Sequence, residues 1–317
     1  MRLKRQWQRI RSIGVVRYLG FAAQRVLFLK PFSFFERLGL HVLPVHHYSP
    51  VPDTRELRRN RDRWFRESSM PGVRIDVAEQ LPLLDAFRGF QPEIRSLPAH
   101  ERLEAMGLGE GFGEVESQIL YSFVRHTKPR TVVEVGGGTS TFISIQALEA
   151  NKRLDDIDGR LVTIEPFPAN ELSRLRPECG WQLIRKPVQA VSPEFFDALD
   201  SGDILFIDSS HIAKLGSDVM HLYLEVVPRL RAGVRIHIHD ISFPYPSSDP
   251  EEWVFTRHQF WTEPAIVQAF LAFNDSFRIL LCSSYLHYKA PHELAKTFPD
   301  YDPNRHFPSS LWLERVR

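Results

Sequence analysis

Residues 131–141 read Thr131-Val132-Val133-Glu134-Val135-Gly136-Gly137-Gly138-Thr139-Ser140-Thr141, an apolar run that ends in three glycines and passes into hydroxyl-bearing residues. A β-branched run of this kind suits a strand buried on both faces. Glycine is needed where the backbone turns sharply and a ligand must approach closer than a Cβ allows, and a helix beginning there offers free N–H groups to a nucleotide-like ligand. Outward from this turn, further apolar runs fall at 161–164, 182–185, 204–207, 234–239, 277–283 and 309–313. Helical segments fit between them at about 141–149, 171–175, 193–199, 217–230 and 264–273. Strands alternating with helices predict an α/β, Rossmann-like doubly wound, seven-stranded, mostly parallel sheet. The stretch 31–98 holds Pro31, Pro44, Pro50, Pro52, Pro71, Pro82, Pro92 and Pro98, a density that favours turns and short pieces. The expected organisation is an irregular, helical N-terminal extension over 1–110 and a ligand-binding domain over 111–317.

Composition narrows the function. The chain has 317 residues, 43% hydrophobic, with 40 Lys+Arg against 39 Asp+Glu and a net charge of +1. That balance creates no global field toward a nucleic-acid backbone, so nucleic acid is not an expected partner. Cys179 and Cys282 are the two cysteines, too few for a disulfide framework, which fits a reducing cytoplasm. Residues 1–30 carry Arg2, Lys4, Arg5, Arg9, Arg11, Arg17, Arg25 and Lys30 without an acid, interleaved with apolar residues. Arg17 and Arg25 interrupt any signal-peptide core, and no run of about 20 apolar residues spans a membrane. The segment reads as a basic amphipathic helix, suited to lie on an anionic membrane surface or a partner, to pack on the domain behind it, or to join copies in a homo-oligomer.

The dinucleotide fingerprint wants Gly-x-Gly-x-x-Gly, whereas this chain has Gly136-x-Gly138-x-x-Thr141, with Glu134 two residues before the first glycine. The second strand is closed by Glu165, where a carboxylate can accept hydrogen bonds from both hydroxyls of a ribose. These features resemble the class I S-adenosylmethionine-dependent methyltransferases. The resemblance implies that Glu134, Gly136, Gly137 and Gly138 hold the methionine part of the cofactor, with Ser140 in place of a third glycine. It also implies that Glu165 holds the ribose and that Gln189 lies near the adenine.

The fourth apolar run ends in Asp208-Ser209-Ser210-His211 and the fifth in His239-Asp240. In a doubly wound sheet ligands bind outside the carboxyl ends of the strands, so both clusters fall on the edge that carries the glycine turn. Converging carboxylates raise one another's pKa unless a cation neutralises them, and oxygen donors with one nitrogen suit Mg²⁺ or Mn²⁺. Here the sequence is similar to metal-dependent O-methyltransferases of catechol and natural-product sugar type. That similarity implies a metal on Asp208, His239 and Asp240, a cofactor contact at Asp208, and His211 as general base in an Asp-x-x-His pattern. Imidazole suits that work because its ordinary pKa is about 6.5. No Asn follows Asp240, so the catechol-type ligand set is incomplete. His237 lies on the same strand face as His239, one pair deeper, and is expected to be a satisfied interior histidine.

The long insertion at 242–261, rich in aromatics and prolines, reads as a substrate lid with Tyr245, Trp253, Arg257 and Trp261 as candidate contacts. The segment Val45-His46-His47-Tyr48-Ser49-Pro50 is similar to a stretch ahead of the catalytic domain in a group of bacterial, class I family 24-like methyltransferases. His46, His47 and Tyr48 are further substrate candidates on that ground. The expected activity is metal-assisted O-methylation of a hydroxylated small molecule or sugar. The alternatives are a catalytically silent cofactor-binding scaffold of a biosynthetic assembly and, further off, a nicotinamide-dependent dehydrogenase.

Overall fold

The structure, a computed structural model, describes residues 32–109 and 111–317. The basic segment 1–30 therefore lies outside the described residues. The chain divides into two compact units, one ending at Trp64 and the other running from Phe65 to Arg317. In the first unit, α1 (Thr54–Arg59) is capped by Asp53, whose carboxylate accepts the Arg55 and Glu56 N–H groups, and α2 (Arg61–Trp64) follows. Among the described residues no helix is long and apolar enough to cross a membrane.

The second unit runs α3 (Val77–Phe87), α4 (Gln91–Ile94), α5 (His100–Ala105), α6 (Glu114–Thr127), β1 (Thr131–Val135), α7 (Thr139–Asp155), β2 (Arg160–Ile164) and β3 (Gly180–Ile184). It continues with β4 (Ile204–Ile207), α8 (Asp218–His221), β5 (Arg235–Ile238), α9 (Glu263–Leu271), β6 (Phe277–Cys282), α10 (Ser283–Lys289), α11 (Pro291–Thr297) and β7 (Leu311–Arg315). The seven strands form one sheet in the order β3-β2-β1-β4-β5-β7-β6. β1 to β5 are parallel, with Val133 opposite both Val162 and Leu205, and β7 runs antiparallel between β5 and β6. The chain leaves β1 toward β2 on one side and β4 on the other, so the crevice of the fold opens at the carboxyl ends of β1 and β4.

Period-two alternation supplies both faces of the sheet. Val132, Leu161, Ile204, Phe206 and Trp312 bury on one face with Leu84, Phe123 and Ile143, and Phe123 stacks on Trp312 at 3.7 Å. Val133, Val162, Leu205, Ile207 and Leu313 bury on the other, with Val219, Leu222 and Val267.

Three expectations need correction. The boundary falls at 64/65 rather than 110/111, because residues 65–109 pack into the sheet's own core: Phe87 meets Phe123 at 4.9 Å, and the Gln80 side chain accepts the Cys282 N–H at 2.7 Å. The proline-dense stretch contains the regular helix α3 with Pro82 inside it, since burial of Gln80, Leu84 and Phe87 outweighs a missing hydrogen bond. The helices expected at 171–175 and 193–199 are 3₁₀ turns, and that at 217–230 loosens after α8 into irregular turns at Leu222–Val226 and Val227–Arg229, where Pro228 has no N–H to give.

Candidate active site

The glycine turn is fixed by the strands beneath it. Gly136 has φ +85°, and a Cβ there would overlap the carbonyl oxygen of Asp208, so the ends of β1 and β4 approach as closely as they do only because this residue is glycine. Two backbone bonds clamp the approach, Gly136 N–H to Ile164 O at 3.0 Å and Asp208 N–H to Val135 O at 2.8 Å. Gly137 leans on Thr163, and the Gly138 N–H donates to Thr141 Oγ1 at 3.1 Å as α7 begins.

Glu134 does not reach the crevice. It is fully buried, with its carboxylate receiving hydroxyls from Ser140 (2.7 Å), Thr141 (2.6 Å) and Thr163 (2.8 Å). The residues expected to hold cofactor at 134 and 140 thus brace the turn from inside, because β1 alternation turns residue 134 toward the first turn of α7. Burial pushes the Glu134 carboxyl up to about 7, against the pull of the three hydroxyls.

Glu165 does stand at the crevice. Its carboxylate accepts the Gly137 N–H at 3.2 Å and the Phe167 N–H at 2.7 Å, which leaves further lone pairs on both oxygens. Gly136, Glu165, Gln189 and Asp208 line one cavity of about 410 Å³ beside Ser210 and Lys214. Gln189 sits on its rim with its amide donating to Gly216 O at 3.0 Å.

At the ends of β4 and β5 the main chain is strained to present side chains. His211 (φ +59°) and Asp240 (φ +57°) both occupy the left-handed region, which non-glycine residues adopt when surrounding structure over-determines it. His211 Nε2 lies 3.3 Å from Asp208 Oδ1 and 3.4 Å from Asp240 Oδ2, so one imidazole nitrogen faces both carboxylates. The other nitrogen, Nδ1, meets Glu263 Oε2 at 2.7 Å, and Glu263 also accepts the Ser209 and Tyr223 hydroxyls at 3.0 and 2.8 Å. Burial opposes a charge on His211, but the carboxylates of Asp208 and Glu263 outweigh it and hold the ring's pKa well above the ordinary histidine range. Burial likewise works against ionised Asp208, yet the neighbouring His239 and His211 keep its pKa below the usual value.

The expected metal ligands do not assemble. His239 Nε2 stands 3.7 Å from Asp240 Oδ1, its ring packs on Phe112 at 4.9 Å, and His211 Nε2 stands between Asp208 and Asp240. Among the described residues no cluster of three His, Cys, Asp or Glu side chains is arranged to hold a metal ion. As placed, the donor set does not fit a divalent cation, and an imidazole occupies the position where the two carboxylates converge. Burial lowers the His239 pKa less than Asp240, Asp208 and Glu116 raise it, so the net direction is upward.

His237 is interior, stacked on Phe206 at 4.2 Å, but it is not satisfied: neither ring nitrogen has a hydrogen-bond partner, and burial holds it neutral. In the insertion, Trp261 packs 4.9 Å from the His211 ring, Trp253 lies 4.7 Å from Trp261, and the Arg257 guanidinium covers Trp253 at 4.8 Å. These three candidates form one ladder leading to His211. Tyr245 does not join it; its ring neighbours are Phe65 and Tyr288. His46, His47 and Tyr48 belong to the first unit, where their rings contact one another, and every side chain of the site above belongs to the second.

Sequence reasoning passed over Glu263 and Glu116. Glu263 opens α9 just before Pro264 and reads locally as an acid favoured in a first helical turn. Glu116, buried in α6, accepts the Ser309 N–H at 2.5 Å, while Ser309 Oγ donates to Asp240 Oδ1 at 3.0 Å. No local signal pairs these residues with the site. A larger cavity of about 880 Å³ lies at the other end of the sheet, by Arg235, Phe277 and Glu314, remote from these groups.

Residues 133–241 match a family model described as a methyltransferase domain. An uncharacterized protein of Archaeoglobus fulgidus is 29% identical over 168 residues, 51% of this chain and 75% of that one. Among solved structures, the Bacillus cereus O-methyltransferase in complex with SAH aligns at TM-score 0.41 and 12% identity over 74% of this chain and all of that one. An SAH-bound Podospora anserina methyltransferase aligns at TM-score 0.36 and 12% identity, over 88% of this chain and all of that one.

Proposed function

We propose, from the match of residues 133–241 to a methyltransferase-domain model, that the chain is a class I S-adenosylmethionine-dependent methyltransferase and that it methylates a hydroxyl of a small molecule or sugar. The observation that carries this reading is the adjacency of two features on one sheet edge. The cavity bounded by Gly136, Glu165 and Asp208 adjoins the His211–Asp208–Asp240 group, with Asp208 common to both. The residues fit the cofactor: a turn with no room for a Cβ, and a carboxylate, Glu165, fixed by two backbone N–H groups with lone pairs left for ribose hydroxyls. S-adenosylmethionine, when bound, supplies a methyl group on a positively charged sulfur.

In this reading His211 takes the proton of the attacking hydroxyl through Nε2, and Asp208 and Asp240 orient that hydroxyl beside it. The resting ring must first lose the proton that its carboxylate neighbours hold on it. A positively charged cofactor held in the cavity that Asp208 lines would favour release of that proton to solvent, because it would compete with the imidazolium for the same carboxylate. Trp261 places a half-buried aromatic ring next to His211, with Trp253 packed behind it, and such a ring suits the flat side of an aromatic or a sugar. As placed, Asp208, His239 and Asp240 do not converge on a divalent ion, and the proton transfer rests on His211.

The first test is calorimetric titration with S-adenosylmethionine and with NAD, followed by a mass-spectrometric screen for methyl transfer to sugars and catechols. Binding of the first alone, with transfer abolished in His211→Ala, is the expected result. Binding of NAD, or of neither, would overturn the reading and favour the scaffold alternative.

A further inference from the structure

Glu263 is fully buried, and three donors converge on it: His211 Nδ1 and Ser209 Oγ on Oε2, Tyr223 OH on Oε1. A buried carboxylate is costly unless its lone pairs are filled and a positive charge lies near, and here His211 is the cation in direct contact. The backbone repeats the attachment, since the Thr262 and Glu263 N–H groups both donate to His211 O, at 2.9 and 3.1 Å. Thus the start of α9 grips residue 211 by main chain and side chain together, while Trp261 closes on the ring.

We propose that Glu263 is a positioning residue for His211, holding Nδ1–H against its own carboxylate so that Nε2 is the nitrogen presented to Asp208, Asp240 and the acceptor hydroxyl. The inference rests on the reading of His211 as base. A neutral imidazole carries one N–H, and the partner of one nitrogen decides which nitrogen keeps the free lone pair. With Nδ1–H committed to Glu263, the lone pair falls on Nε2. Were Glu263 replaced by a weaker acceptor, the two strong carboxylates on the opposite side would draw the proton to Nε2, and the ring would present no base to the site.

The test is ¹⁵N-edited proton NMR of the full chain labelled at histidine, with the His211 signal identified by its loss in His211→Ala. The expected wild-type spectrum has a slowly exchanging His211 Nδ1–H far downfield of the amide region. In Glu263→Gln, where an uncharged amide replaces the carboxylate and Tyr223 can turn to accept, it moves upfield while the ring is charged and is lost to Nε2 once the ring is neutral. A wild-type His211 whose Nδ1 carries no strongly hydrogen-bonded proton overturns the proposal even if the variant does not fold. So does an Nδ1–H signal unchanged in a folded Glu263→Gln. If the signals behave as expected but His211→Ala transfers methyl groups at the wild-type rate, the base assignment fails, and Glu263 loses its catalytic meaning while keeping its geometric one.

Discussion

Glu134→Gln should flatten the pH dependence of stability. In the wild type, three hydroxyls donate into a carboxyl group with no exposure to solvent. Burial raises its pKa from 4.5 to about 7. A folded pKa above the unfolded one means the native state holds its proton longer. The stability contribution is therefore fully present below about 4.5 and is lost as pH rises through about 7. At 1.36 kcal/mol per pKa unit the loss amounts to about 3 kcal/mol, a large part of the 5–15 kcal/mol that keeps a domain folded. Glutamine imitates the protonated acid, with its carbonyl accepting from Thr141 and Thr163 and its NH₂ donating to Ser140 Oγ. Urea unfolding of the ligand-free protein at pH 5 and pH 8 should show wild type losing about 3 kcal/mol more than Glu134→Gln across that interval. Parallel profiles for the two proteins would refute the buried-acid reasoning.

Other perturbations separate the parts of the site. Gly136→Ala forces a side chain into the Asp208 carbonyl at φ +85°, and should abolish S-adenosylmethionine binding by calorimetry and lower stability by about 1–3 kcal/mol; intact binding would contradict the close-approach argument. His211→Ala should reduce kcat by roughly 10²–10⁴-fold while cofactor affinity stays near wild type, and a fall in affinity alone would place His211 in cofactor binding instead. Methyl transfer should persist in EDTA, because an imidazole stands where Asp208 and Asp240 converge; a loss restored by Mg²⁺ would show that the ring gives way to an ion. Trp312→Ala removes a fully buried indole stacked on Phe123 and should cost about 3–5 kcal/mol in denaturant unfolding, with a smaller loss indicating that the core closes around the gap.

The sequence alone determined the sheet. β1 and β4 coincide with their expected ranges because parallel strands buried on both faces must be continuous apolar runs, and the glycines at 136–138 mark the turn where the crevice opens. It also placed Glu165, Asp208, His211 and Asp240 on one edge, since strand ends in this topology share a side. Helices α3 and α6 were harder to read because Pro82 argues against the first and burial all along Val115–Arg125 leaves the second no solvent face over that stretch; their stability comes from packing. Tertiary structure decided what the side chains do. Glu134 faces hydroxyls rather than ligand, His239 packs on Phe112 rather than completing a metal site, and Glu263 meets His211 across 52 positions of chain. Such pairings depend on distances and orientations among elements remote in sequence, and a pattern of residue types along one chain carries no information about them until the chain is folded.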